Sequence, residues 1–111
     1  MTMQAILDRL GFSKRYKGYQ MLSRAVEIAV QNEEAVTRIT QLIYPKVAEE
    51  SGTSGVNVEK DIRKIIERFW IDGDKEYYYK MTGYKLAKKP TNAELIAALS
   101  SYVLRKRPNS R

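Results

Sequence analysis

Apolar side chains return every three or four residues along almost the whole chain, a period that gathers them onto one face only in an α-helix. Met3 to Leu10 carries Ile6, Leu7 and Leu10 and stops at Gly11, a residue suited to the left-handed position that ends helices. Gly18 to Gln31 carries Met21, Leu22, Ala25, Val26, Ala29 and Val30, which is about four turns of amphipathic helix. Glu33 and Glu34 suit the first turn of a third helix, where carboxylates meet the positive end of the dipole. Val36, Ile39, Leu42 and Ile43 form its apolar face. The prolines, at 45, 90 and 108, leave long stretches uninterrupted. Pro45 reads as the first position of a short helix, to about Glu50, that buries Val47 and Ala48 and breaks at Ser51-Gly52. A long helix from about Val56 to Ile71 follows, closed by Asp72-Gly73-Asp74. Tyr77 to Tyr84 predicts one more short helix ending at Gly83, and Lys85 to Pro90 a basic loop. Thr91 with Glu94 three residues on is a T-x-x-E capping box; it opens a last helix with Leu95, Ile96, Leu99, Tyr102 and Val103 inward. The expected fold is all-α, with six or seven helices and no sheet.

At 111 residues, with neither a repeat nor a Gly/Ser-rich linker, the chain reads as one domain over residues 1–111, with a basic flexible tail over 105–111. With 43% apolar residues, a domain this size buries about two-thirds of its unfolded surface and folds without staples. It has no Cys and no His, which removes thiolate and imidazole chemistry: zinc fingers, Ser-His-Asp and Cys-His pairs, histidine proton shuttles. No enzymatic activity and no cofactor are expected. The net charge of +7 points to a polyanionic partner, nucleic acid before membrane. Apolar runs such as Ile28-Ala29-Val30 fall far short of the ~20 residues of a membrane span. Met1-Thr2-Met3-Gln4 lacks the flank of a signal peptide, so the expected location is the cytoplasm. Asp72-Gly73-Asp74 lacks the further oxygens of a calcium loop, and no phosphate-binding glycine motif is present.

Residues 45–71 are more specific. A short helix, a Gly-containing turn and a longer helix is the helix-turn-helix order. Ala48, Gly52 and Val58 fit its spacing as A-x₃-G-x₅-V: a small residue for close approach, a glycine for φ > 0, a branched residue to pack between the helices. Asp61 stands where a further apolar residue is expected, so Ile62 must do that packing. Around the long helix, Val58, Ile62, Ile65, Ile66, Phe69 and Trp70 fall on one side; Asn57, Lys60, Lys64 and Arg68 fall opposite, with Arg63 on the edge. A phosphate backbone would turn the repulsion of Lys60 and Lys64 into attraction. Asp61 and Glu67 lie on the same polar face and work against it. From spacing and charge alone, an ordinary helical hairpin with a solvated face stays open beside the DNA-binding reading.

From about Met3 to Lys106 the chain resembles the C-terminal effector domains of the stage-zero sporulation protein A family, the response regulators that start endospore formation. The resemblance is carried by Gly11, Lys17-Gly18-Tyr19, Leu42-Ile43-Tyr44-Pro45, Val58-Glu59-Lys60 with Ile62-Arg63, Gly83-Tyr84, and Lys89-Pro90-Thr91-Asn92 with Glu94 and Ile96-Ala97. It implies a transcription-factor domain of the winged-helix-like response-regulator effector type, at work on the bacterial nucleoid, whose recognition helix, about 56–71, enters the major groove of double-stranded DNA, often as a tandem pair of copies. It also implies contact with the RNA polymerase sigma subunit through the region after that helix. By family position Asn57, Glu59 and Lys60 read bases, with Arg63 nearby. The family shows Arg where this chain has Asn57 and Lys60. Arg reads guanine through a fixed fork, Asn prefers adenine, and Lys reaches guanine as a point charge, so the preferred sequence moves. Glu59 either accepts from cytosine or pairs with Arg63. The family's full protein also carries an N-terminal phospho-acceptor domain; an excised fragment and a stand-alone relative both fit a chain numbered from Met1.

Thr53 and Ser54, with Arg63 and Lys64, are expected to hold phosphates, as are Lys89, Thr91 and Asn92 before the last helix. Tyr77, Tyr78 and Tyr84, with Tyr79 beside them, are candidates for a partner surface or for closing the core over Phe69 and Trp70. The alternative to a DNA-binding regulator is a receiver-less interaction module that docks to polymerase or to an intact regulator and binds DNA weakly.

Overall fold

Six α-helices carry the fold: α1 (Met3–Arg9), α2 (Lys17–Gln31), α3 (Tyr44–Ser51), α4 (Gly55–Asp72), α5 (Lys75–Thr82) and α6 (Asn92–Lys106). The computed structural model describes residues 2–107, and no strand occurs among them. The expected all-α class therefore stands. No helix of the described residues is long and apolar enough to cross a membrane.

The helix ends follow from side chains that satisfy their unpaired backbone groups. Thr2, Ser54, Asp74 and Thr91 each accept a hydrogen bond from a first-turn N–H of the helix they open. The Thr91–Glu94 capping box is complete in both directions. Gly52 and Gly83 take the left-handed conformation that stops α3 and α5.

The apolar faces converge on α2. It packs most extensively against α4 and α6, with α1 laid across its start. Tyr19 fixes α1 to α2 from inside the core: its hydroxyl donates to Asp8 Oδ1 at 2.6 Å, and lies 3.1 Å from the Gln4 carbonyl. Phe69 of α4 stacks on Phe12 (centroids 4.7 Å apart) and meets Tyr78 of α5 at a tilt (5.9 Å). The α4–α5 connection is tied to the end of α1 by Asp74 N–H donating to the Leu10 carbonyl at 2.9 Å.

Gly18 is where α2 and α4 cross with backbones nearly touching. A Cβ there would lie 2.9 Å from the Asp61 carbonyl carbon, closer still to its oxygen, and 3.1 Å from Ile65 Cγ2. Only a residue without a side chain admits this crossing.

Residues 33–43 depart from the expected third helix. Glu33–Thr37 is a 3₁₀ turn and Ile39–Ile43 a π turn, with Arg38 between them outside helical geometry (φ −136°, ψ 49°). The Asn32 side chain accepts from the Glu34 N–H at 3.2 Å and tightens the first turn. Pro45 widens the second. An α-helix running through it would need a Pro45 N–H for the Gln41 carbonyl and would press the ring against that oxygen. The π turn, closed by Tyr44 N–H donating to the Ile39 carbonyl, avoids both. Pro45 accordingly sits one residue inside α3 rather than at its first position. At the other end, Arg105 and Lys106 belong to α6 rather than to a tail, and residues 108–111 lie outside the described residues.

Candidate nucleic-acid interface

α3 and α4 are joined by the three residues Gly52, Thr53 and Ser54. With Gly52 at φ 69°, the Thr53 N–H returns to the Ala48 carbonyl at 3.0 Å and turns the chain sharply. Ala48, Val58 and Ile62 all lie in the buried core, and Asp61 does not.

This packing turns Val56, Asn57, Lys60, Arg63, Lys64, Glu67 and Arg68 of α4 outward. Ser54 caps the helix through the Asn57 N–H (3.2 Å), and the Asn57 side-chain amide donates to Thr53 Oγ1 at 3.0 Å. Asn57 is therefore oriented, with one amide N–H and its carbonyl oxygen left to face outward. Glu59 is half-buried and its carboxylate stands 3.6 Å from Arg63 one turn on. Arg68 pairs with Asp72 at the far end of the helix. No ion pair of the described residues includes Lys60 or Lys64. Asp61 offsets part of their charge without holding either lysine in an ion pair.

Lys60 and Lys64 line an open groove of about 610 Å³ whose other wall is Lys17 and Gln20 of α2. Thr53, Asn57 and Asp61 also line it. Lys17 was not singled out as a site residue in the sequence. It enters the sequence reading only within Lys17-Gly18-Tyr19, where the glycine marks a close approach without saying to what; the crossing at Gly18 is what brings Lys17 to the α4 face.

On the other flank the expected set divides. Lys89 reaches Glu67 across 3.3 Å, so part of its charge is spent within the protein. Thr91 is exposed and serves as the helix cap. Asn92 is buried, and this corrects its expected role as a phosphate contact: its amide donates to the Tyr44 hydroxyl (3.0 Å) and to the Glu59 carbonyl (3.1 Å), pinning α6 to α3 and α4. Burial raises the Tyr44 phenol above its ordinary pKa and keeps it a hydroxyl. Asn92→Ala is expected to lower stability by about 1–2 kcal/mol, the usual loss when buried partners go unpaired. Chemical denaturation measures it; an unchanged midpoint would show that the pin carries no load.

The tyrosines also divide. Tyr78 is 2% exposed and packs on Phe69, which corrects its assignment to a partner surface. Tyr77 is half-buried beneath the Arg9 guanidinium, 4.6 Å from the ring centroid. Tyr79 and Tyr84 face solvent, and Tyr84 rims an apolar groove of about 610 Å³ that includes Leu86, Ala97 and Ala98.

No cluster of acidic residues suited to a metal ion occurs among the described residues. A family model described as sporulation initiation factor Spo0A C terminal matches residues 3–103, from the first residue of α1 almost to the end of α6.

Proposed function

The chain belongs to the Spo0A C-terminal family of sporulation initiation factors, a family of DNA-binding regulatory domains, and from that premise we propose that it binds a preferred duplex DNA sequence as a transcriptional regulator, without enzymatic activity. The observation that carries this reading is the outward face of α4, where Lys60 and Lys64 are unpaired and Lys17 stands across the same groove.

In this reading α4 enters the major groove. Asn57, held by Thr53, presents one N–H and one carbonyl oxygen, which is the pair that adenine N7 and N6 require. Lys60 reaches a guanine edge. Glu59 buttresses Arg63 rather than selecting cytosine, since its carboxylate already faces that side chain. Arg63, Lys64 and Lys17 lie against phosphates, and Thr53 and Ser54 approach the backbone at the start of the helix. The exposed Tyr84 and its apolar groove are assigned to a protein partner, the sigma subunit of RNA polymerase, and a second copy binds in tandem on the same DNA. The work is done in the cytoplasm, at the nucleoid.

Selection from random duplex DNA, followed by binding against salt, tests this. A defined element should be enriched, and roughly 5–7 phosphate contacts give a log–log salt slope near −5. Lys64→Ala should weaken all sequences about equally and reduce that slope by about one unit, whereas Asn57→Ala should relax preference at a single base pair. No enriched element together with a shallow slope would overturn the proposal in favour of a protein-docking module.

A further inference from the structure

Val56 is 65% exposed, at the second position of α4, on the helix face that also carries Lys60 and Arg63. A β-branched residue on a charged ridge gains nothing from water. It lines none of the grooves described above and does not belong to the core. Ile71, at the opposite end of the same helix, is equally exposed, so exposure alone is not the distinguishing fact. Position is: helices enter the major groove by their first turns, and Val56 stands one turn ahead of Lys60 and next to the oriented Asn57.

The major groove offers one apolar group to such a side chain, the 5-methyl of thymine. Phosphates, sugars and the other base edges reward hydrogen-bond donors and acceptors, which valine lacks. In a helix valine keeps essentially one χ1 rotamer, so its two methyls project in a fixed direction and order nothing further on contact. Thr53, on the turn before, carries the neighbouring hydroxyl, already engaged with Asn57. We infer that Val56 is a specificity-determining residue that selects thymine over cytosine or uracil by packing on the thymine methyl, at the base step beside the one Asn57 reads. The inference rests on the DNA-binding reading above and deepens it.

The test uses the whole protein and the duplex enriched by selection. Each thymine in turn is replaced by deoxyuridine, which keeps its pairing and loses only the methyl. One position, adjacent to the base pair that responds to Asn57→Ala, should lose about fourfold in affinity, the worth of one buried methyl. Val56→Ala should bind the parent duplex about fourfold more weakly and should no longer distinguish deoxyuridine from thymidine at that position, so that the two changes do not add. Alanine is the better helix former, and at this exposed site the variant keeps its fold. A flat deoxyuridine scan, or a scan unchanged in Val56→Ala, overturns the inference while DNA recognition stands. An enriched element without a thymine there also overturns it. Failure to enrich any element overturns the DNA-binding reading, and the inference falls with it.

Discussion

Gly18→Ala is expected to lose about 2 kcal/mol of stability, although alanine is the better helix former by about 1 kcal/mol. Local propensity and tertiary geometry predict opposite signs, and the magnitudes decide between them. The added methyl would sit 2.9 Å from the Asp61 carbonyl carbon and nearer to its oxygen. Both atoms are backbone within α4, so no rotamer change relieves the clash. The helices must part, and the α2–α4 interface is one of the two most extensive in the domain. Overpacking of this kind exceeds the helical gain. The melting temperature should fall by roughly 10–15 °C, followed by far-ultraviolet circular dichroism. A variant as stable as the parent would mean that the two helices do not cross at this glycine.

The second large effect is on binding and leaves the fold intact. Reversing Lys60 and Lys64 together to glutamate should weaken duplex DNA binding by more than about a hundredfold at physiological salt, because two phosphate attractions become two repulsions. Both side chains are exposed and neither takes part in an ion pair of the described residues, so stability should change by no more than about 0.5 kcal/mol. Lys85 and Lys88, reversed together, provide the control. They give the same net charge but lie beside the apolar groove on the α6 side of the molecule, and binding should stay within a few-fold. Equal losses in the two variants would show that overall charge, not the α4 face, attracts DNA.

The helices were legible because their ends carry chemistry that acts over three or four residues. Thr91 caps the helix it precedes, and Gly52 and Gly83 close what they follow; each acts only on its own stretch of backbone, whereas the capping by Ser54 and Asp74 shows only in the structure. The segment 33–43 was misread as one α-helix because its apolar period is helical, while Pro45, lying beyond it, sets the geometry of the turn before it. The outward face of α4 was equally readable, since burying Val58, Ile62, Ile65 and Phe69 leaves Lys60 and Lys64 nowhere else to go. What periodicity could not supply were relations between distant residues. Asn92 looks like a polar residue beside a cap, and only the arrival of Tyr44 and the Glu59 carbonyl makes it internal. Lys17 looks like any basic residue at a helix start until the Gly18 crossing sets it across from Lys64. Tyr78 and Tyr79 are neighbours with the same chemistry, and the turn of α5 alone decides that one is core and the other surface.

The way α4 is fastened also separates two kinds of change over time. Its position is set from behind: by buried aliphatic side chains, by Gly18 against the Asp61 carbonyl, and by Asn92 against the Glu59 carbonyl. Two of those three holds grip main-chain atoms, which every amino acid possesses. The side chains that face away from the body, Val56, Asn57 and Lys60, contribute almost nothing to holding the helix in place. Duplicated copies of such a domain can exchange those residues freely and acquire new target sequences while melting at the same temperature, whereas a change at Gly18 or Asn92 damages every target at once.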